Sequence, residues 1–378
     1  LYYEFDLGFN VGVKVKIIRY TADGDRIVAA AAKRSLSRRD LDVQLGKMSD
    51  EEVSVWIEET FKRQHFSPWE HSVYTWTVEG CSRVCSHQLV RHRIASFTQL
   101  SFRYARLGFD RKCLDPSFYD GRCISLDIGV DAGLDACQEG GYVYVRSGDS
   151  EADIRLLDDG AIVERVSLSG RIVEDALVES WLMDMFDTSL LGGFEGRKVP
   201  RENVYRRYCR MIDFVIPPSI RSKKELLAVF IRETSRVFQV YRDLISKGVP
   251  PEDARFLVPM GVQTKLVVTM NARELIQSFL PLRMCTKAQW EIRTVAWLLW
   301  RELNRIHPRL FKYAGPRCIF YENAIRRNPI TLEDLLNGVE LVMERCPENI
   351  ERDGIPRCVR SNLLLLEKNG YNISGEQG

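Results

Sequence analysis

The sequence predicts an α+β protein, and three features carry that prediction. Residues 13–20 (VKVKIIRY) alternate apolar and polar side chains, the period of a strand whose successive side chains face opposite ways. Other stretches place apolar residues three and four apart, as the core-facing stripe of a helix requires. Between residue 108 and about 201 the texture changes again: hairpin-like runs lead into one helical run, which reads as an inserted α+β subdomain.

Taken in order, the strand at 13–20 is followed by DRIVAAAAKR, a helical run. Ser49 and Glu52 form a capping-box pattern ahead of VSVWIEETFKRQ, a second helix. SVYTWTVEG alternates as a strand ending at Gly80, and SRVCSHQLVRHR has helical spacing, so RHRIASFTQLSFRY lies where a helix runs into a loop. In the inserted segment the turns fall at Ser-Gly-Asp and Asp-Asp-Gly, and RIVEDALVESWLMDMF reads as an amphipathic helix. A long helix resumes in SKKELLAVFIRETSRVFQVYRDLISKGVP, with Ser222 and Glu225 as a capping box and Gly248 and Pro250 as its stop. Further helical stretches are expected from Asn271, over 286–306 and over 331–344.

The 378 residues suffice for two domains, or for one catalytic domain with an insertion. No apolar run reaches eighteen residues and the first twenty lack a signal pattern, so a cytoplasmic protein is expected. The ten cysteines form no C-x-x-C pair, and most are expected as small core residues. A disulfide between Cys346 and Cys358 stays open. The net charge of +2 conceals an asymmetry: between Ile124 and Glu195 sixteen acidic residues face four arginines, which leaves the rest of the chain at +14. A basic body suits anionic small molecules or nucleic acid. The acidic stretch is read either as a surface elaboration packed on an oligomer or as an acidic cover over part of that body.

Arg91, Arg93 and Arg103 crowd into one short segment, and guanidinium is the group of choice for planar recognition of phosphate. The plain alternative is a solvated basic helix end complementing the helix dipole. Thr98 and Ser101 add hydroxyls, while Phe97, Phe102 and Tyr104 add flat rings suited to a heterocycle. Four of the five histidines, His65, His71, His87 and His92, lie within 28 residues, but their spacing matches no common zinc pattern, and no metal site is expected. The Rossmann and P-loop glycine patterns are missing, as is the G-x-S-x-G elbow, and no nucleophile stands beside a base.

The segment RHRIASFTQLS, with Arg-His-Arg, seven residues and then Ser, resembles the signature of the flavin-dependent thymidylate synthases (ThyX). The resemblance extends through HFSPWEHSVYTWTVEG, GVPPEDARFLVP, TMNARELIQSFLPLR and AQWEIR, in that family's order. It implies an α+β fold with long helices around a small, mainly antiparallel sheet. The implied catalytic core is discontinuous, 13–107 with 205–330. Around it stand the acidic insert 108–204, a C-terminal helical extension 331–378, and an N-terminal extension 1–12 to which no role is given.

The implied activity is reductive methylation of 2′-deoxyuridine 5′-monophosphate (dUMP) to dTMP. FAD is the implied cofactor, with NADPH and 5,10-methylenetetrahydrofolate as co-substrates and a homotetramer sharing its active sites. Carried over by motif, Arg283, Ser101 and His65 are the catalytic candidates, Arg283 lying against the pyrimidine. The FAD candidates are Ser35, Ser67, Arg91, His92, Arg93, Gln99, Asn271, Ala272, Arg273 and Gln277. The dUMP candidates are Gln88, Arg91, Gln99, Leu100, Ser101, Phe102, Arg103, Arg255 and Arg283.

The chain departs from the family pattern at Thr98 and Gln99, where Asn and Glu are common, at Phe102, and at Lys287, where some members have His. NARELIQSFLPLR is one residue longer than expected, which leaves open whether Gln277 or Ser278 faces the flavin. Two other readings compete: a nucleic-acid-binding protein, and a non-catalytic relative that keeps flavin and nucleotide binding.

Overall fold

The protein is described from a computed structural model covering residues 12–38, 40–104, 123–127, 133–186, 193–200, 204, 214–371 and 373. Most of the N-terminal extension and both ends of the acidic segment lie outside these residues. The chain divides into two compact units, a terminal one made of Val13–Gln99 and Thr264–Gly378, and a central one of Leu1–Gly12 and Leu100–Gln263.

The terminal unit is α+β, as expected. Its sheet has the order β1-β2-β10-β3, formed by Lys14–Tyr20, Val73–Ser82, Gln263–Asn271 and Ala95–Gln99. β1 runs antiparallel to β2 and β10 antiparallel to β3. Helices α1 (Gly24–Arg34), α2 (Leu41–Lys47), α3 (Asp50–Lys62) and α4 (Arg83–Leu89) come from the first segment. Ser49 caps α3 by accepting the Glu52 amide at 3.2 Å. The reciprocal half of the box is not made, because the Glu52 carboxylate pairs with Lys33. The core holds Trp69, Tyr74, Trp76 and Trp297, all 0% exposed.

The central unit carries a six-stranded antiparallel meander, β4 to β9, comprising Cys123–Asp127, Gly133–Glu139, Tyr142–Ser147, Ser150–Leu157, Gly160–Ser167 and Lys198–Val199. Gly148 sits at a φ of +53° in the expected Ser-Gly-Asp turn, a conformation glycine adopts without steric cost. All four arginines of the acidic stretch bind carboxylates within it: Arg146 meets Glu151 and Asp153, Arg155 meets Glu164, Arg165 meets Glu151 and Asp153, and Arg171 meets Asp149 and Glu174.

Helix α5 (Ile172–Phe186) is not the amphipathic surface helix that its sequence suggests. Val173, Leu177, Val178, Trp181, Leu182 and Met185 are all buried, because α5 is enclosed between its sheet and a second helix, α6 (Lys224–Ser246). Leu227, Ile231, Phe238 and Tyr241 of α6 share one apolar core with Val145, Ile154 and Trp181 of the inserted segment. The compact units therefore divide at residues 99/100 and 263/264 and not at the expected segment boundaries, and residues 331–378 join the terminal unit.

Three local expectations need correction. The Ser222/Glu225 box is absent: α6 starts after Lys223 with no side-chain cap, and the Ser222 hydroxyl donates to Ser219 O. The helix expected over 286–306 begins later, as α7 (Trp290–Ile306), with the Gln289 side chain as its cap. The stretch 331–344 is helical only over Leu332–Leu336, because the chain turns out of the helix at Gly338, whose φ is +86°. A last helix, α8 (Ile355–Lys368), closes the C-terminal segment. Cys346 and Cys358 are free thiols, so the disulfide left open between them is not formed.

Candidate active site

In the terminal unit Arg283 and Ser278 meet at His92. Helix α4 starts at Ser82, whose hydroxyl accepts the Cys85 amide at 3.1 Å. Ser82 is itself fixed by buried Glu291, which accepts its amide at 2.7 Å and its hydroxyl at 2.5 Å. Where α4 ends, the chain turns with the His92 amide on Leu89 O, and the His92 ring goes inward, 5% exposed and edge-on to Phe279 at 5.0 Å.

Arg283 Nε donates to His92 Nε2 at 3.0 Å, and a second guanidinium nitrogen donates to Gln88 O at 3.2 Å. A guanidinium can only donate, so Nε2 accepts and the imidazole proton sits on Nδ1. From there it reaches Glu274 Oε1 at 3.1 Å and Ser278 Oγ at 3.2 Å. Arg283 thus lies half-buried against two neutral acceptors, and burial pulls its pKa below the usual value. Such a cation is stabilised by any anion brought to it. A hydrogen bond with the free thiol of Cys81 and burial raise the pKa of nearby Cys85, which disfavours its thiolate.

The extra residue in NARELIQSFLPLR is absorbed as a π-helical turn, Leu275–Phe279, between the helical pieces Ala272–Glu274 and Leu280–Arg283. Ser278 faces His92, whereas Gln277 accepts from Arg273 Nε at 2.8 Å, and Arg273 also pairs with Glu70. Asn271 uses its side-chain oxygen to cap Glu274 at 2.8 Å. Ala272 has nothing to offer a ligand, since its side chain is fully buried, its amide binds Ser72 O and its carbonyl accepts from Leu275.

Arg91 and Arg93 are exposed on either side of His92 and form no ion pair with a described residue. Gln99 turns its amide nitrogen to Ser86 Oγ at 2.8 Å and Thr264 Oγ1 at 3.1 Å, which a carboxylate at this position could not do with the same atoms. Thr98 and Lys287 are exposed, as are His65 and Ser67 on either side of buried Phe66. Ser35 closes α1, its hydroxyl turned back to Ala32 O at 2.9 Å.

In the central unit, Arg103 and Arg255 meet at Glu252. Arg103 Nε lies 3.3 Å from the carboxylate and Arg255 Nε donates to the Glu252 carbonyl at 3.0 Å. Ser101 accepts the Arg103 amide at 3.4 Å, and Leu100 is exposed beside it. Phe102 is 4% exposed in the apolar core, so its ring is not available to a nucleotide. Sequence reasoning missed Glu274 and Glu252. Glu274 was within reach, because Asn-x-x-Glu at 271–274 is a helix-start pattern that places a carboxylate beside the expected arginines.

Comparison with known proteins bears on this arrangement. The family described as thymidylate synthase complementing protein matches residues 16–149 and 201–309. The chain is 43% identical to the flavin-dependent thymidylate synthase of Aeropyrum pernix over 93% of both chains. It is 36% identical to that of Sulfolobus acidocaldarius, over 96% of this chain and 100% of the relative. A crystal structure of the UMP/dUMP methylase PolB from Streptomyces cacaoi, bound with 5-Br dUMP, aligns at 18% identity. It covers 80% of this chain and 95% of that one with a TM-score of 0.47, too low to add to the argument.

Proposed function

The chain belongs to the thymidylate synthase complementing family, as a flavin-dependent thymidylate synthase, and on that premise we propose that it methylates dUMP to dTMP. The carbon comes from 5,10-methylenetetrahydrofolate, which leaves as tetrahydrofolate, and the reducing equivalents come from NADPH through FAD. The observation that carries this reading is Arg283, a half-buried guanidinium whose hydrogen bonds among the described residues go to an imidazole and a carbonyl.

Activation of a uracil ring calls for a cation where N3 loses its proton, and a partly desolvated guanidinium stabilises that anion more strongly than an exposed one does. His92 fixes the Arg283 fork, and Glu274 fixes the His92 tautomer. Arg103 and Arg255 are assigned to the nucleotide phosphate, with Ser101 and the Leu100 backbone beside them and Gln88 near the base. Exposed Arg91 and Arg93, without a carboxylate partner, suit the diphosphate of FAD. Bound there, FAD supplies the reducing chemistry for which the chain has no side chain. His65, Ser67, Asn271 and Arg273 are assigned to the rim of the flavin and folate site.

We assign the enzyme to the cytoplasm and to a homotetramer with shared sites, its catalytic residues drawn from 13–107 and 205–330. No helix among the described residues is long and apolar enough to cross a membrane.

The test is dTMP formation by purified protein with dUMP, methylenetetrahydrofolate, FAD and NADPH, omitting each in turn. Product that requires all four is expected. Bound flavin without turnover would favour the non-catalytic relative, and steeply salt-dependent oligonucleotide binding without flavin would favour the nucleic-acid reading.

A further inference from the structure

Four cysteines of the terminal unit, Cys285, Cys318, Cys346 and Cys358, line a single pocket open to solvent. They come from separate pieces of chain: the turn after Arg283, the helix Arg317–Ile325, the Cys346-Pro347 turn, and α8. The rest of the wall is largely hydrocarbon, including Pro316, Pro347, Ile350, Ile355 and Val359. All four thiols are free.

We propose that these four cysteines ligate an iron–sulfur cluster. Two of the sulfurs already have hydrogen-bond partners, as the thiolates of such clusters do. The Ile350 amide donates to Cys346 Sγ at 3.4 Å, and the Thr286 hydroxyl lies 2.9 Å from Cys358 Sγ.

The charge around the cavity is suited to an anionic cluster. Lys287 and Arg317 line it, Arg293 is an electrostatic neighbour of Cys285, and its buried Nε has no hydrogen-bond partner. Glu348 is the acidic group on the wall, and it is paired with Arg317 at 3.2 Å. Without metal, burial pushes the Cys285 thiol up and that of Cys318 up to about 12. Binding of iron removes this obstacle, because each thiol releases its proton to solvent as its sulfur bonds the metal.

Cys285 and Cys318 are each electrostatic neighbours of Cys346 and Cys358, yet the four do not form a single-ion site. Among the described residues no group of three or more His, Cys, Asp or Glu side chains is disposed to hold a metal ion, so a single zinc does not match the arrangement. A cluster of four irons and four sulfides binds one cysteine at each iron, so it can join thiols that do not meet at one ion. Cys285 lies two residues beyond Arg283, and Asn362 of α8 donates to Met284 O between them at 2.8 Å. The cluster would therefore fasten the backbone directly behind Arg283.

The experiment is metal and sulfide analysis of full-length protein, expressed with added iron and purified without oxygen. Low-temperature electron paramagnetic resonance after dithionite reduction accompanies it. Expected are iron and acid-labile sulfide in equal amounts, close to four of each per chain, and a reduced-cluster signal distinct from any flavin radical. The combined variant Cys346→Ala and Cys358→Ala should lose both iron and sulfide while its circular dichroism stays that of a folded protein. Wild-type protein free of iron, one zinc per chain in place of iron, or two disulfides found by mass spectrometry would each overturn the proposal. The wild-type analysis decides even if the variant does not fold, and none of these results depends on turnover of dUMP.

Discussion

The terminal and central units present arginines under opposite conditions. Arg283 of the terminal unit is half-buried and bound to neutral acceptors, with the Glu274 carboxylate one imidazole away. Arg103 of the central unit is exposed and already paired with Glu252. An exposed ion pair contributes about 0–1 kcal/mol and exchanges readily for another anion, so it suits a phosphate that must bind and leave. A desolvated, uncompensated cation is costly in the resting protein and gains most when negative charge develops beside it. On the proposed function, Arg103 serves binding and Arg283 serves the reaction barrier.

The sharpest test of that contrast is Arg283→Ala, expected to lower kcat by about 10²–10³-fold or more while flavin content is retained. An effect confined to KM in the dTMP assay would erase the distinction. Glu274→Gln comes next. It removes the carboxylate that holds His92 Nδ1–H, and should lower kcat on the order of tenfold to a hundredfold with little change in KM. A variant that lost flavin or fold instead would show Glu274 to be structural.

Arg103→Ala should act the other way, raising KM for dUMP about tenfold and leaving kcat unchanged, with a weaker dependence of KM on salt than in the wild type. The smallest effect concerns Glu291, the carboxylate beneath Ser82. Burial raises its pKa, against the hydrogen bonds from Ser82 and Gln289 that lower it. A carboxyl that holds its proton more tightly in the folded state stabilises the fold most below its unfolded pKa, and that contribution is lost as pH rises through the folded value. The Tm of the wild type relative to Glu291→Gln should therefore fall as pH is raised above the ordinary glutamate range. A difference in Tm that is flat or grows with pH would contradict the raised pKa.

Local pattern made much of this legible. β1, β2, α1 and α3 fall where strand and helix periods place them, since short-range periodicity reports which face of an element is buried. Arg91, His92, Arg103 and Arg283 were likewise named from motifs. Less legible was what each side chain does: Ala272 and Phe102 are buried in packing, the Asn271 side-chain oxygen caps a helix and the Gln99 amide nitrogen binds Ser86 and Thr264. The Ser222 box failed because a favourable dipeptide pattern competes with the turn before it.

The acidic segment shows the limit most clearly. Its hairpins and turns were predicted, yet its helix α5 is enclosed on more than one side because α6, some forty residues later in the chain, packs against it. The sequence by itself determined where strands, helices and turns form and which residue types cluster near the Arg-His-Arg segment, for those depend on neighbours a few residues away. Only the tertiary structure decided that His92 turns inward onto Glu274 and Arg283, that Ser278 and not Gln277 faces it, and that four distant cysteines share one cavity. Those contacts join residues far apart in sequence, and no local period records them.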